Sequence, residues 1–117
     1  MTIKHLLSHT SGLPDYFQDK GQGKESLEKE LMTGNDQFWS FEQAVERSKN
    51  ISPLFPPGTI NKAKYSDVNF QLLGKIIETI TGKSYAENCQ ERVIQPLGLL
   101  KTYQYQDENH PWCRQVL

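Results

Sequence analysis

Ser66-Asp67-Val68-Asn69-Phe70-Gln71-Leu72-Leu73-Gly74-Lys75-Ile76-Ile77-Glu78-Thr79-Ile80-Thr81-Gly82 is the stretch on which the fold turns. Phe70, Leu73, Ile77 and Ile80 recur at spacings of three and four, and Leu72 and Ile76 widen the stripe. That period belongs to an α-helix with one apolar face. Gly82 closes the helix as a C′ residue. Ser84 opens the next one, Glu87 completes a capping box, and Tyr85, Ala86, Cys89 and Val93 form the expected inner face. Pro96 and Gly98 stop it. Two helices joined by so short a link are expected to pack as an αα-hairpin.

Towards the N-terminus the same logic finds three shorter helices. Thr2 caps a helix whose apolar residues are Ile3, Leu6 and Leu7, and Ser8-His9-Thr10-Ser11-Gly12-Leu13-Pro14 ends it. Gln18 to Lys24, with Gly21 and Gly23, is predicted to be a surface loop. Leu27, Leu31 and Met32 mark a short helix that Gly34-Asn35 terminates. Ser40 and Gln43 form a second capping box ahead of Phe41, Ala44, Val45 and Ser48, in a helix running to about Asn50. Between Ser52 and Thr59, three prolines and Gly58 forbid both helix and central strand, so Pro57-Gly58 is a turn. Residues 104–117 have no period and are expected to form an irregular tail. The predicted fold class is mostly α.

Composition removes several function classes. The chain has 117 residues, with 13 Lys and Arg against 14 Asp and Glu, for a net charge of −1. No clustered basic excess is available for nucleic acid, so none is expected as a partner. With 36% hydrophobic and 23% charged residues the chain is globular rather than disordered. No apolar run approaches the roughly 20 residues that span a bilayer. Met1-Thr2-Ile3-Lys4-His5 lacks the apolar region of a signal peptide, and nothing in the sequence gives an address. Cys89 and Cys113 are too few for a disulfide framework and lack a C-x-x-C spacing. His5, His9 and His110 include no H-E-x-x-H, so neither metal nor cofactor is expected.

The residues with chemical potential lie just before the long helix, at Tyr65-Ser66-Asp67. A phenol at a helix N-terminus sits beside free N–H groups and the positive end of the dipole, which favour its anion and would make it a base. The same segment also has a plainer reading, with Tyr65 as a packing aromatic and Ser66 or Asp67 as the N-cap. His5 and His9, four apart, are read as packing and capping residues of the first helix. Ser8 and Ser11 are expected to bond local backbone at its end.

Taken in order, several segments resemble one family. Thr2-Ile3-Lys4-His5-Leu6-Leu7-Ser8-His9-Thr10-Ser11-Gly12-Leu13 is similar to the HLLSHTSGL stretch of the serine β-lactamase-like hydrolases, which include class C β-lactamases, D-alanyl-D-alanine carboxypeptidases and related esterases. Pro57-Gly58-Thr59, Tyr65-Ser66-Asp67-Val68-Asn69-Phe70, Leu72-Leu73-Gly74, Ile76-Ile77-Glu78, Thr81-Gly82-Lys83-Ser84-Tyr85 and Pro96-Leu97-Gly98-Leu99 follow in family order. The resemblance covers about residues 2 to 103.

The resemblance implies a β-lactamase/transpeptidase-like α+β fold, of which residues 1–103 would be the helical subdomain, with the sheet domain missing. It implies acyl transfer to a Ser-x-x-Lys serine, an oxyanion hole and a Tyr-x-Asn motif whose Tyr is general base and acid. The matching catalytic positions are Tyr65 and Asp67, the second an Asp where the family motif has Asn. The family places Ser-x-x-Lys before the HLLSHTSGL stretch and a Lys-Thr-Gly strand well after the Tyr. Here Lys101-Thr102-Tyr103 matches that strand only in part, and Ser26-Leu27-Glu28-Lys29 lies on the wrong side of the first motif in a charged helix. The expectation is therefore a piece of a larger serine acyl-hydrolase, inactive alone, whose substrate is a small or peptidoglycan-like acyl compound. The rival reading is a non-catalytic module that binds peptidoglycan-like or acyl ligands; a third is a structural domain covering a neighbouring active site. Apolar groups around Leu13, Tyr16, Phe55 and Tyr65 are expected to be exposed and to support a homo-oligomer.

Overall fold

The computed structural model describes residues 1–20, 26–34 and 39–103. Among them are five α-helices: α1 (Ile3–Leu7), α2 (Leu27–Thr33), α3 (Phe41–Lys49), α4 (Asp67–Thr81) and α5 (Tyr85–Cys89). A π-helical segment, Gln90–Ile94, continues α5, and no strand occurs among the described residues. The chain divides into two compact units, Met1–Leu73 and Gly74–Leu117. Of the loop expected from Gln18 to Lys24, residues 21–24 lie outside the described residues, as does the tail at 104–117, which holds His110, Trp112 and Cys113.

The helix starts follow the sequence closely. Thr2 caps α1 and accepts from the His5 amide, while the His5 ring accepts from the Thr2 amide in return. Ser40 and Gln43 make the same reciprocal pair at α3, as do Ser84 and Glu87 at α5. Each such cap satisfies two N–H groups that a helix start leaves unpaired. Glu87 stays below the usual carboxylate range because the Ser84 hydroxyl and amide both bond to it. Ser26 caps α2, its Oγ accepting from the Lys29 amide.

In the first unit, each helix or helical half sends one fully buried apolar side chain inward: Leu6, Leu27, Ala44 and Val68. Apart from Gly12 and Pro14, the rest of the buried set is polar, namely Ser11, Asp15, Ser26, Ser48, Ser66 and Asn69. Such groups are tolerated inside only when bonded. The stretch after α1 meets that need by stitching itself to the Pro-rich segment. Leu54 donates to the Gly12 carbonyl at 2.9 Å, Gly58 to Thr10 at 2.8 Å and Lys64 to His9 at 3.0 Å. The start of α2 joins the same stretch where Glu28 donates to Phe17. Between α2 and α3, Arg47 makes a two-pronged pair with Glu30 at 2.8 and 2.9 Å and lies over the Trp39 ring.

In the second unit the joint between α4 and α5 is held by side chains rather than by helix faces. Asn88 donates to Thr81 Oγ1 and to the Lys83 and Ser84 carbonyls, and accepts from Arg92. Glu78 accepts from the Tyr85 amide, and Lys83 pairs with Glu91. α5 is five residues long and continues directly into the π-helical segment, so the helical stretch after the joint runs from Tyr85 to Ile94. The apolar stripe of α4 is covered only in part: Leu72, Leu73 and Ile76 are half-buried, whereas Phe70, Ile77 and Ile80 are exposed, as are Tyr85 and Val93 of the next segment. A hydrophobic period marks a face that prefers cover; it does not say what supplies the cover. Conversely, Leu13, Tyr16 and Phe55, expected to be exposed, are half-buried, and only Tyr65 of that group is open.

Gly12 shows how tight the stitching is. It has φ +73°, and a Cβ there would stand 1.9 Å from the Phe55 carbonyl oxygen. Gly82 has a similar φ of +67°, but a Cβ would meet nothing within 4 Å. Gly82→Ala should therefore cost only the left-handed strain, about 1–2 kcal/mol, whereas Gly12→Ala adds a backbone clash and should cost about 3 kcal/mol or more. Urea unfolding of the two variants checks this; equal losses would show that the Gly12–Phe55 contact relaxes freely.

Candidate active site

Lys64, Tyr65 and Ser66 approach α4 in a short irregular run, and their flanking amides are both taken by His9. The Lys64 N–H donates to the His9 carbonyl at 3.0 Å, and the Ser66 N–H to His9 Nδ1 at 3.4 Å. Ser66 is fully buried and its hydroxyl donates to the Pro14 carbonyl at 2.9 Å. It is thus a tether to the stretch after α1. With Ser66 turned inward, the Tyr65 ring is left 54% exposed at the mouth of α4. It lies against His9 with ring centroids 4.6 Å apart, and Phe70 closes the cluster edge-on to His9 at 5.2 Å.

Asp67 is the first residue of α4, where its charge complements the helix dipole. Its Oδ1 accepts from the Tyr65 hydroxyl at 2.7 Å. The two positions singled out in the sequence are thus brought into direct contact. The consequence for the phenol is opposite to the expected one. The hydrogen bond to Asp67 pushes Tyr65 above the ordinary tyrosine value, with desolvation and the charges of Asp67 and Asp15 adding to it. A full carboxylate in contact with the hydroxyl outweighs the helix end, because deprotonation would set two anions side by side. Tyr65 is held as a phenol, not primed as a phenolate.

The surroundings are acidic. Burial pushes the Asp15 carboxyl up against the lowering effect of the Phe17 amide, and the charges of Asp67 and Asp19 push the same way. For Asp19, burial would raise the carboxyl, but Lys64 and the Asp15 amide together hold it below the usual range. Lys64 Nζ stands 2.6 Å from Asp19 Oδ1. Tyr16, raised mainly by burial, accepts at 3.5 Å from Gln71.

Other residues named from the sequence have simpler places. Ser26 Oγ caps α2. His5 caps α1, but α1 ends at Leu7, so His9 lies beyond it, with φ +54°. Ser8 bonds local backbone, donating to the Lys4 carbonyl. Ser11 also accepts locally, from the Leu13 amide at 3.2 Å, but its own proton goes elsewhere. It donates at 2.7 Å to Asn69 Oδ1, 58 residues away, and the Asn69 amide reaches His9 Nδ1 at 2.9 Å. Asn69 and Asp15 are the supporting residues that pattern-reading passed over; a polar residue inside an apolar helical run was the available signal for Asn69. Cys89 is a half-buried free thiol beside Tyr85. Among the described residues no three His, Cys, Asp or Glu side chains converge as a metal site, and no helix is long and apolar enough to cross a membrane.

Comparison with known proteins places this arrangement. The chain is similar to penicillin-binding protein 4 of Amycolatopsis lactamdurans, 31% identical over 100 residues, which is 85% of this chain and 22% of that protein. It is also 31% identical over 106 residues to the teichoic acid D-alanine hydrolase of Staphylococcus aureus, covering 91% of this chain and 22% of that one. Among solved structures, the D-amino acid amidase of Ochrobactrum anthropi SV3 superposes with a TM-score of 0.71 at 28% identity, over 96% of this chain and 28% of the amidase. The chain therefore spans about a fifth of the length of the curated relatives it matches. The helices described above are a part of the β-lactamase/transpeptidase-like fold. The family model described as Beta-lactamase matches residues 1–111, and the chain belongs to the β-lactamase family.

Proposed function

We propose that this chain serves a serine acyl-hydrolase that cleaves a D-aminoacyl amide or ester through an acyl-enzyme, with Tyr65 as its proton carrier. The observation that supports this is the 2.7 Å hydrogen bond from an exposed Tyr65 hydroxyl to Asp67 at the mouth of α4. The substrate class follows the names of the relatives, a D-alanine hydrolase and a D-amino acid amidase. The nucleophile is the serine of a Ser-x-x-Lys motif that the family carries ahead of its HLLSHTSGL stretch. Ser26 does not fill that role, since its hydroxyl is engaged as a helix cap.

In this reading the serine hydroxyl attacks the carbonyl, and the C–O bond forms as the carbonyl π bond opens to an oxyanion. When the tetrahedral species collapses, the bond to the leaving nitrogen or oxygen breaks. The serine proton passes to the unprotonated lysine of the Ser-x-x-Lys motif as the C–O bond forms. On collapse Tyr65 gives its proton to the leaving atom and the lysine returns the serine's proton to the phenolate, so the net transfer is from nucleophile to leaving group. The neighbouring carboxylate suits the recovery half, because it makes the phenolate a strong base once formed. Asp67 also bears on substrate choice. An Asn can donate to a substrate carbonyl, whereas a carboxylate only accepts and repels an anionic group. This favours a peptidase- or esterase-like substrate over a β-lactam with its carboxylate.

Three outcomes test the reading. The 117-residue chain alone should not turn over a chromogenic cephalosporin or a short-chain nitrophenyl ester; turnover abolished by Ser26→Ala would overturn the assignment of that serine. In the active enzyme that contains this chain, Tyr65→Phe should lower kcat by about 10²–10⁴-fold with KM little changed. A loss under about threefold, far short of that range, would make Tyr65 a packing residue. Finally, Asp67→Asn removes the charge that holds the phenol up, so the Tyr65 titration, followed at its 13Cζ, should move down towards the ordinary tyrosine value. An unmoved titration would mean that Asp67 is not the cause.

A further inference from the structure

Tyr65 is gripped by one residue in three ways. The His9 carbonyl accepts from the amide before it, His9 Nδ1 accepts from the amide after it, and the His9 ring lies 4.6 Å from the Tyr65 ring. The grip depends on which ring nitrogen carries the proton, and the surrounding bonds decide that. Ser66 N–H is a fixed donor, so Nδ1 must offer a lone pair. Asn69 must then turn its NH₂ to Nδ1 and its Oδ1 to Ser11, whose hydroxyl donates while it accepts from the Leu13 amide at 3.2 Å. Donation thus runs from Leu13 through Ser11 and Asn69 to His9, and the Ser66 N–H meets it from the other side at the same Nδ1 lone pair. Asn69 and Ser66 are fully buried and Ser11 nearly so, which leaves no water to reverse it.

We propose that His9, locked as the Nε2–H tautomer by Asn69 and Ser66, is the positioning residue that sets where the Tyr65 hydroxyl stands. It acts through Tyr65 and touches no reacting atom. This rests on the acid–base reading of Tyr65, and it adds to that reading the residue that fixes the phenol in place. The His9 backbone fits the role. At φ +54° it turns the chain sharply after α1, so its carbonyl and its ring both face the Tyr65 segment.

The test combines NMR on the full chain with kinetics on the active enzyme that contains it. In the wild-type chain, 15N shifts should show an unprotonated Nδ1 and a protonated Nε2, and NOEs should join the His9 and Tyr65 rings. His9→Asn is the informative variant, because Asn accepts a left-handed φ most readily after glycine and keeps the carbonyl bond while removing the ring and Nδ1. It should abolish the ring-current shift of Tyr65 and lower kcat by about 10–100-fold with KM nearly constant, as expected for a displaced catalytic group. A protonated Nδ1 in the wild type would overturn the proposal. So would a folded His9→Asn chain with Tyr65 signals or kcat unmoved. Should that variant fail to fold, the wild-type tautomer and NOEs decide alone. A neutral Tyr65→Phe would remove the acid–base reading and the catalytic consequence of His9 with it, while the NMR result would still report whether the grip exists.

Discussion

The buried hydrogen bonds that run from Ser11 through Asn69 to His9 are the constraint on which the first unit depends. They join the stretch after α1 to the first turn of α4, across nearly sixty residues of sequence. Few apolar side chains are fully buried in this unit, so shape is set by polar groups that have one satisfactory arrangement. A bonded network of that kind contributes modestly per bond, about 1 kcal/mol net, but leaving one member unpaired costs more than the bond gives. The penalty for every other arrangement is what selects this one. The position of Tyr65 is a by-product of that selection, since Lys64 and Ser66 on either side of it are both fixed by His9.

What the sequence revealed and what it hid divide along physical lines. Helix starts were legible because a cap is a local event: Thr2, Ser40 and Ser84 bond to groups three residues away, and the spelling carries all the information. The Pro-rich turn around Pro57-Gly58 was legible for the same reason. The family motif singled out the positions Tyr65 and Asp67 but not their mutual bond, which follows from their being two residues apart at a helix mouth. Ser11 was read only in part: its local bond to the Leu13 amide was expected, but nothing in its neighbours announces a partner 58 residues on. The α4 stripe is a different case. Its period was right, but Ile77 and Ile80 look outward, since amphipathicity fixes a face and not its neighbour.

The direction of the Tyr65 shift shows how a near contact overrides a distant field. A helix N-terminus presents roughly half a positive charge spread over its first turn. The Asp67 carboxylate presents a full negative charge at hydrogen-bond distance, on the same turn. The nearer and larger charge decides, and the phenol keeps its proton. An Asn in that position would supply the same oxygen without the charge and leave the helix end unopposed. The exchange of Asn for Asp therefore changes how firmly the phenol holds its proton, beyond any change in hydrogen-bond count.

That exchange has a second consequence within the same unit. Asp67 joins Asp15 and Asp19 in an acidic neighbourhood that Lys64 offsets only in part, because Lys64 is committed to Asp19 at 2.6 Å. Burial moves the Asp15 carboxyl up and the crowding adds to it, while Asp19, which burial would also raise, is moved down by the lysine in contact with it and the Asp15 amide. Two carboxylates four residues apart thus differ in opposite senses because one holds the cation and the other only a backbone amide. The negative potential left over falls on the Tyr65 hydroxyl, whose proton is the one a departing group would need. Geometry and charge therefore act on the same atom from two sides: His9 settles where the hydroxyl is, and the carboxylates settle that it still carries its proton when a substrate arrives.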